Sequence, residues 1–162
     1  MTEGPSAWDA ALRLLGVRAR SRSEMAERLL RRGFETDEVA DVLVRLDAAG
    51  LLDDAEFAHE WVQSRSRHSG RGRVALRREL RTKGVADHTV DEALSGIDPA
   101  DERAQALELA AKKLRTANLD LNDHADRTKA YRRLAGVLGR RGYPADVISG
   151  VVAEVIGDAR RT

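Results

Sequence analysis

MAERLLRRGF, residues 25–34, returns as LRRELRTKGV at 76–85 and as LAGVLGRRGY at 134–143, and this threefold return decides the fold. Each copy sets an apolar residue, a second one four positions on, and a glycine four positions after that: Met25/Leu29/Gly33, Leu76/Leu80/Gly84 and Leu134/Leu138/Gly142. The spacing is helical, and the glycine can take the left-handed conformation that closes a helix. The match runs on past it. Phe34, Val85 and Tyr143 follow at once, then Val39, Val90 and Ile148, then Leu43, Leu94 and Val152, which form the stripe of a second helix.

Successive glycines stand 51 and 58 residues apart, more than two helices and a turn require, so each interval holds a third helix. Periodicity of this size predicts an all-α chain, an elongated array of three tandem three-helix repeats whose neighbours complete one another's cores. The expected boundaries are 1–50, 51–97 and 98–162. Each module is near the lower size limit for folding alone. Aromatic residues make up only 4% of the chain, so the cores rest on Ala, Leu and Val.

The remaining elements fall between these marks. Ser6 with Asp9, and Ser21 with Glu24, have capping-box spacing, and Thr36 is a third expected cap. Asp53 opens a helix in which Phe57 and Trp61 stand four apart. The stretch RSRHSGRGR at 65–73 reads as an exposed turn leading into a helix over 73–83. Asp87 caps a short helix, and Asp98-Pro99 starts one that runs to about Arg115. Asn118 to Asp126 reads as a linker before a helix from Arg127, and Pro144 starts the last. Ala135, Gly136 and Gly139 inside the third copy lower its helix propensity.

The chain has no cysteine, which removes disulfides, thiolate metal sites and cysteine nucleophiles and suits a reducing cytoplasm. The opening residues lack a signal-peptide pattern, and nowhere do eighteen apolar residues run together. The four histidines, His59, His68, His88 and His124, have no metal-ligand spacing, and the carboxylates fall on helix starts and polar faces. No phosphate-binding glycine loop occurs, and SGRGR has too few glycines to form one. No catalytic residue, metal or cofactor is therefore expected. Phe57 and Trp61 could stack on bases, but their spacing beside Ala58 and Val62 fits core packing better.

The net charge is +1, yet the charges are sorted. Residues 18–32 carry six basic and two acidic groups, 65–83 eight and one, and 127–141 six and none, whereas 35–60 carry nine acidic and one basic. The first helix of each repeated pair is thus basic. Like charges so close repel unless a polyanion or an acidic protein surface neutralises them. The candidate binding residues are Arg28, Arg31, Arg32, Arg65, Arg67, Arg71, Arg73, Arg77, Arg78, Arg81, Lys83, Arg132, Arg133, Arg140 and Arg141.

The threefold repeat, the segment VLVRLDAAGLLDDAEFAHEWVQSR at 42–65 and the basic GRGRVALRRELRTKGV at 70–85 resemble the RecX family of bacterial regulatory proteins over essentially the whole chain. That resemblance implies tandem three-helix repeats and no catalytic residues. It also implies a role in DNA repair, homologous recombination and the SOS response. The partner it implies is the RecA recombinase filament on DNA, whose ATPase, recombination and coprotease activities would be inhibited by a protein lodged in the helical groove. A monomer is expected, with no membrane contact; single- and double-stranded DNA are further candidate partners. The alternative is a general DNA-binding or architectural protein that needs no recombinase.

Overall fold

In a computed structural model describing residues 3–162, the described residues form nine α-helices and no strand. They are α1 (Ala7–Val17), α2 (Arg22–Arg31), α3 (Thr36–Ala48), α4 (Asp54–Ser69), α5 (Arg73–Thr82), α6 (Asp87–Ser95), α7 (Pro99–Arg115), α8 (His124–Arg141) and α9 (Ala145–Arg161). The repeated segments are α2, α5 and α8. Their marker residues are among the most buried described residues: Met25, Leu29, Leu76, Leu80, Leu134 and Leu138 are at most 1% exposed. Burying a Leu or Met side chain contributes about 1.5–3 kcal/mol, so these six positions explain why the repeat recurs.

All three helices end by the same pair of bonds. Phe34, Val85 and Tyr143 donate their amides to Leu29, Leu80 and Leu138, and the preceding glycines donate to Leu30, Arg81 and Gly139. This closure requires the glycine to sit in the left-handed region, and φ is 92°, 76° and 86° at Gly33, Gly84 and Gly142.

The chain divides into two compact units. One runs through Trp61 and takes in Glu79–Ala93; the other comprises Val62–Arg78 and Leu94–Thr162. The division passes within α4 and α5. In the first unit the core gathers Ala7, Ala10, Ala11 and Leu14 of α1, Met25 and Leu29 of α2, and Val39, Val42, Leu43 and Leu46 of α3. Trp8 packs against this core with the Arg45 guanidinium 4.0 Å from its ring centroid. Phe57 is buried and stacks on half-buried Trp61 with centroids 5.8 Å apart, in keeping with its helical spacing. In the second unit Ala106 and Ala110 of α7, Leu134 and Leu138 of α8, and Val151, Val152 and Val155 of α9 make the core with Tyr143.

Several helix starts follow the local signals and several depart from them. Ser6 and Asp9 form the full reciprocal box, and Asp98 and Asp123 cap α7 and α8. At α2 only half of the expected box forms. Ser21 accepts from the Glu24 amide, but the Glu24 carboxylate turns to Arg18. Thr36 lies inside α3, whose cap position is Glu35 with no side-chain bond, and Asp87 lies in the first turn of α6. The expected turn at 65–73 shrinks to residues 70–72, because α4 continues through Ser69. No strong breaker precedes Gly70, and residues 65–69 carry nothing that stops a helix already under way. The linker is likewise shorter than expected, since α8 begins at His124.

The glycines inside α8 are not packing devices. A Cβ at Gly139 would meet nothing within 4 Å, and the residue is exposed. Gly139→Ala should therefore stabilise the chain by about 0.5–1 kcal/mol, the difference in helix propensity, measured by urea unfolding. A destabilised variant would mean that the helix end needs the glycine.

Candidate interface on the basic helices

The starts of two of the three basic helices, α2 and α5, are each held by the end of another within the same unit. In the first unit, the buried Ser21 hydroxyl ahead of α2 donates to the Lys83 carbonyl at the end of α5, at 2.6 Å. In the second, Gly72 and Val74, at the start of α5, donate their amides to the Arg141 and Gly142 carbonyls that end α8, at 2.8 and 2.9 Å. First-turn amides and last-turn carbonyls are the groups a helix leaves unsatisfied; between α5 and α8 they satisfy one another, and at α2 a side-chain hydroxyl takes the carbonyl. The approach is close enough that a Cβ on Gly84 would overlap Ser23, and one on Gly142 would overlap Ala75. Gly84 and Gly142 thus each close their own helix and admit the first turn of another.

Around these joints the candidate arginines divide by duty. Arg73 is committed to Glu102, a carboxylate only 5% exposed that accepts from the Arg73 backbone amide at 3.0 Å and from its Nε at 3.1 Å. Arg81 pairs with Asp87 at 2.9 Å, and Arg31 pairs with Glu27 one turn away. Arg141 donates to the Ser69 carbonyl, and Arg71 reaches the Arg140 carbonyl at 3.4 Å. Lys83 lies 3.6 Å from Glu24 and 5.3 Å from the Trp61 ring centroid, while the Trp61 indole donates to Glu79. Arg65 and Arg77 are half-buried, and Arg78 is exposed.

Of the candidate arginines, those exposed with no ion pair among the described residues are Arg28 and Arg32 at the end of α2, Arg67 on α4, and Arg132, Arg133 and Arg140 on α8. On α8 the exposed residues Lys129, Arg132, Arg133 and Arg140 follow helical spacing along one face. Asp126 lies 3.7 Å from Lys129 at the start of this face. The second unit brings Arg71, Arg73, Arg140 and Arg141 to the junction of α5 and α8. In the first, Lys83 stands beside the start of α2, whereas Arg28, Arg31 and Arg32 lie at its far end, about 15 Å along a helix of this length.

A cluster without a sequence signal surrounds Glu24. This carboxylate, 8% exposed, is shared by Arg18, by Arg20 at 3.7 Å and by Lys83 at 3.6 Å. Burial pushes its pKa up, but the Arg18 hydrogen bond and the charges of Arg18 and Lys83 outweigh that and hold it below the usual carboxylate range. Burial, with the repulsion of Arg18, lowers the pKa of Arg20, whose Nε has no hydrogen-bond partner. Burial and the nearby Glu102 raise Tyr143 against the opposing charge of Arg141, and its hydroxyl donates to the Gly70 carbonyl at 2.9 Å. Among the described residues no helix is long and apolar enough to cross a membrane.

Comparison with known proteins agrees with the tandem helix triplets. Family models described as RecX, first three-helix domain, and RecX, second three-helix domain, match residues 7–46 and 53–94. The regulatory protein RecX of Mycolicibacterium smegmatis is 44% identical over 98% of this chain and 84% of its own length. That of Mycobacterium avium is 45% identical over 93% of this chain and 85% of its own. A crystal structure of RecX from Lactobacillus salivarius superposes with a TM-score of 0.80 at 21% identity, covering 92% of this chain and 94% of that one, which shows the shared fold. With the threefold repeat, the tandem helix triplets and relatives of this identity along nearly its full length, the chain belongs to the RecX family of regulatory proteins.

Proposed function

We propose that this protein binds the RecA recombinase filament on DNA, lodging in its helical groove, and restrains the ATPase, recombination and coprotease activities of that filament. The reading treats 1–50, 51–97 and 98–162 as three modules, each presenting its basic helix to the filament. It makes the protein a cytoplasmic monomer that acts by occupancy and performs no chemistry of its own. The observation that carries it is the outward face of α8, where Arg132, Arg133 and Arg140 stand exposed with no ion pair among the described residues. Clustered cations of this kind are kept where a polyanion or an acidic surface completes them. Arg73 falls outside the binding set, since losing it would strand the buried Glu102.

The test is the single-strand-dependent ATPase of the recombinase, titrated with this protein at fixed DNA and again with DNA in excess. Inhibition well below one molecule per recombinase monomer, unchanged by extra DNA, is expected. Arg132→Glu with Arg133→Glu should raise the half-inhibiting concentration at least tenfold, as removal of two charge-assisted contacts worth about 1.5 kcal/mol each would do, with melting temperature unaltered. Inhibition abolished by extra DNA would replace the proposal with general DNA binding.

A further inference from the structure

In the second unit a cavity of about 530 Å³ opens between the end of α4, the middle of α7 and the residues that end α8. Its walls bring together Arg67, His68 and Ser69 of α4, Lys112 and Glu108 of α7, and Arg141. Arg67 and Lys112 are exposed, come from different helices, and have no ion pair among the described residues. Arg141 spends one N–H on the Ser69 carbonyl, and a guanidinium has five. The carbonyls of Ser69 and Gly70, which would repel an anion, are engaged by Arg141 and by the Tyr143 hydroxyl. Three cationic side chains and a histidine thus face one carboxylate across a single concavity, which concentrates positive potential there.

The volume lies within the range of small-molecule sites and exceeds what an inorganic anion fills. Leu109 and the Tyr143 ring supply apolar wall for a base or sugar, and Glu108 is an acceptor for a sugar hydroxyl. The geometry points to a phosphate site that takes a nucleotide unit: Arg67, Lys112 and Arg141 hold the phosphate, and the α7 side holds the nucleoside. The grip comes from side chains on three elements, where a glycine-rich cradle would use backbone amides. The source of the phosphate is a free nucleotide or a nucleic-acid strand. The site stands apart from the filament reading, because its ligand is tested on this chain alone.

The experiment follows backbone amide shifts of the full chain during titration with inorganic phosphate, adenosine 5′-monophosphate and single-stranded (dT)8. Shifts at Gly70, Gln105 and Lys112 are expected, and Lys112→Gln and Arg67→Gln should each raise Kd at least tenfold with melting unchanged. Arg160→Gln, which removes a charge outside the cavity, should leave Kd within twofold. Shifts with both the nucleotide and the oligonucleotide assign the site to nucleotides in general; shifts with (dT)8 alone assign it to a strand. No shift at these amides with any probe, shifts with inorganic phosphate alone, or unaltered affinity in Lys112→Gln would overturn the inference.

Discussion

Gly142→Ala is expected to cost about 4 kcal/mol, enough to unfold the second unit under mild conditions, whereas Gly33→Ala, at a position of nearly equal φ, costs about 1–2 kcal/mol. Both place an L side chain in the left-handed region, a penalty of about 1–2 kcal/mol. At Gly33 the added methyl meets nothing within 4 Å, so the penalty ends there. At Gly142 it overlaps the Cβ and amide nitrogen of Ala75. Making room pulls α5 from the carbonyls that satisfy Gly72 and Val74, and leaving the buried Gly72 amide unpaired costs about 1–3 kcal/mol. Urea unfolding of both variants, with amide exchange to localise the loss, measures the difference. Equal costs would show that the close approach at Gly142 relaxes freely and that the joint contributes little.

Glu24→Gln should cost about 2–3 kcal/mol at neutral pH. The substitution keeps the shape of the side chain but leaves Arg18, Arg20 and Lys83 without their shared carboxylate. Arg18 and Lys83 are 36% and 26% exposed and can turn to water, so most of the penalty falls on Arg20, which is 7% exposed. The pH dependence has a definite sign. Glu24 has a depressed folded pKa, so its contribution is fully present above its unfolded pKa of about 4.3 and is lost as pH falls through the lower folded value. The gap between wild type and variant should therefore be constant from pH 7 to 5 and narrow below about pH 4. Adding Arg20→Met to Glu24→Gln should recover part of the loss, since a hydrophobic isostere often replaces a buried ion pair without penalty. A second substitution that deepens the loss would show that Arg20 is held by something other than Glu24.

The helices and their cores were legible because their signals are local. An apolar pair four apart and a terminal glycine suffice to place α2, α5 and α8, and the apolar pairs are almost wholly buried. The reach of α4 was misread for the same reason. Residues 65–69 look like a turn by composition, yet a helix propagates through indifferent residues until something stops it, and the stop at Gly70 lies five residues later. The candidate arginines were identifiable as charges but not by duty. Whether Arg73 faces a ligand or Glu102 depends on a carboxylate 29 residues away, and whether Arg81 is engaged depends on Asp87. Lys112 gave no signal, because a single lysine on a polar helix face resembles any solvated residue. The Glu24 cluster was hidden by the half-formed cap, since its carboxylate leaves the box for Arg18.

The double duty of the recurring glycine also sets a rule for how such a chain can lengthen. Gly84 seats the first turn of the basic helix one repeat before it, and Gly142 does the same for the next. Both halves of the joint therefore meet in the second copy, whose start is seated by Gly142 and whose Gly84 seats the first. Tandem duplication of a whole repeat would reproduce donor, acceptor and glycine together, whereas gaining or losing a fraction of one would strand an unsatisfied helix end. Gly33 has the same turn with open space in front of it, so a copy added ahead of the first would meet a seat already made. Copy number can then drift between lineages by recombination within the gene, and selection need not invent a new interface each time.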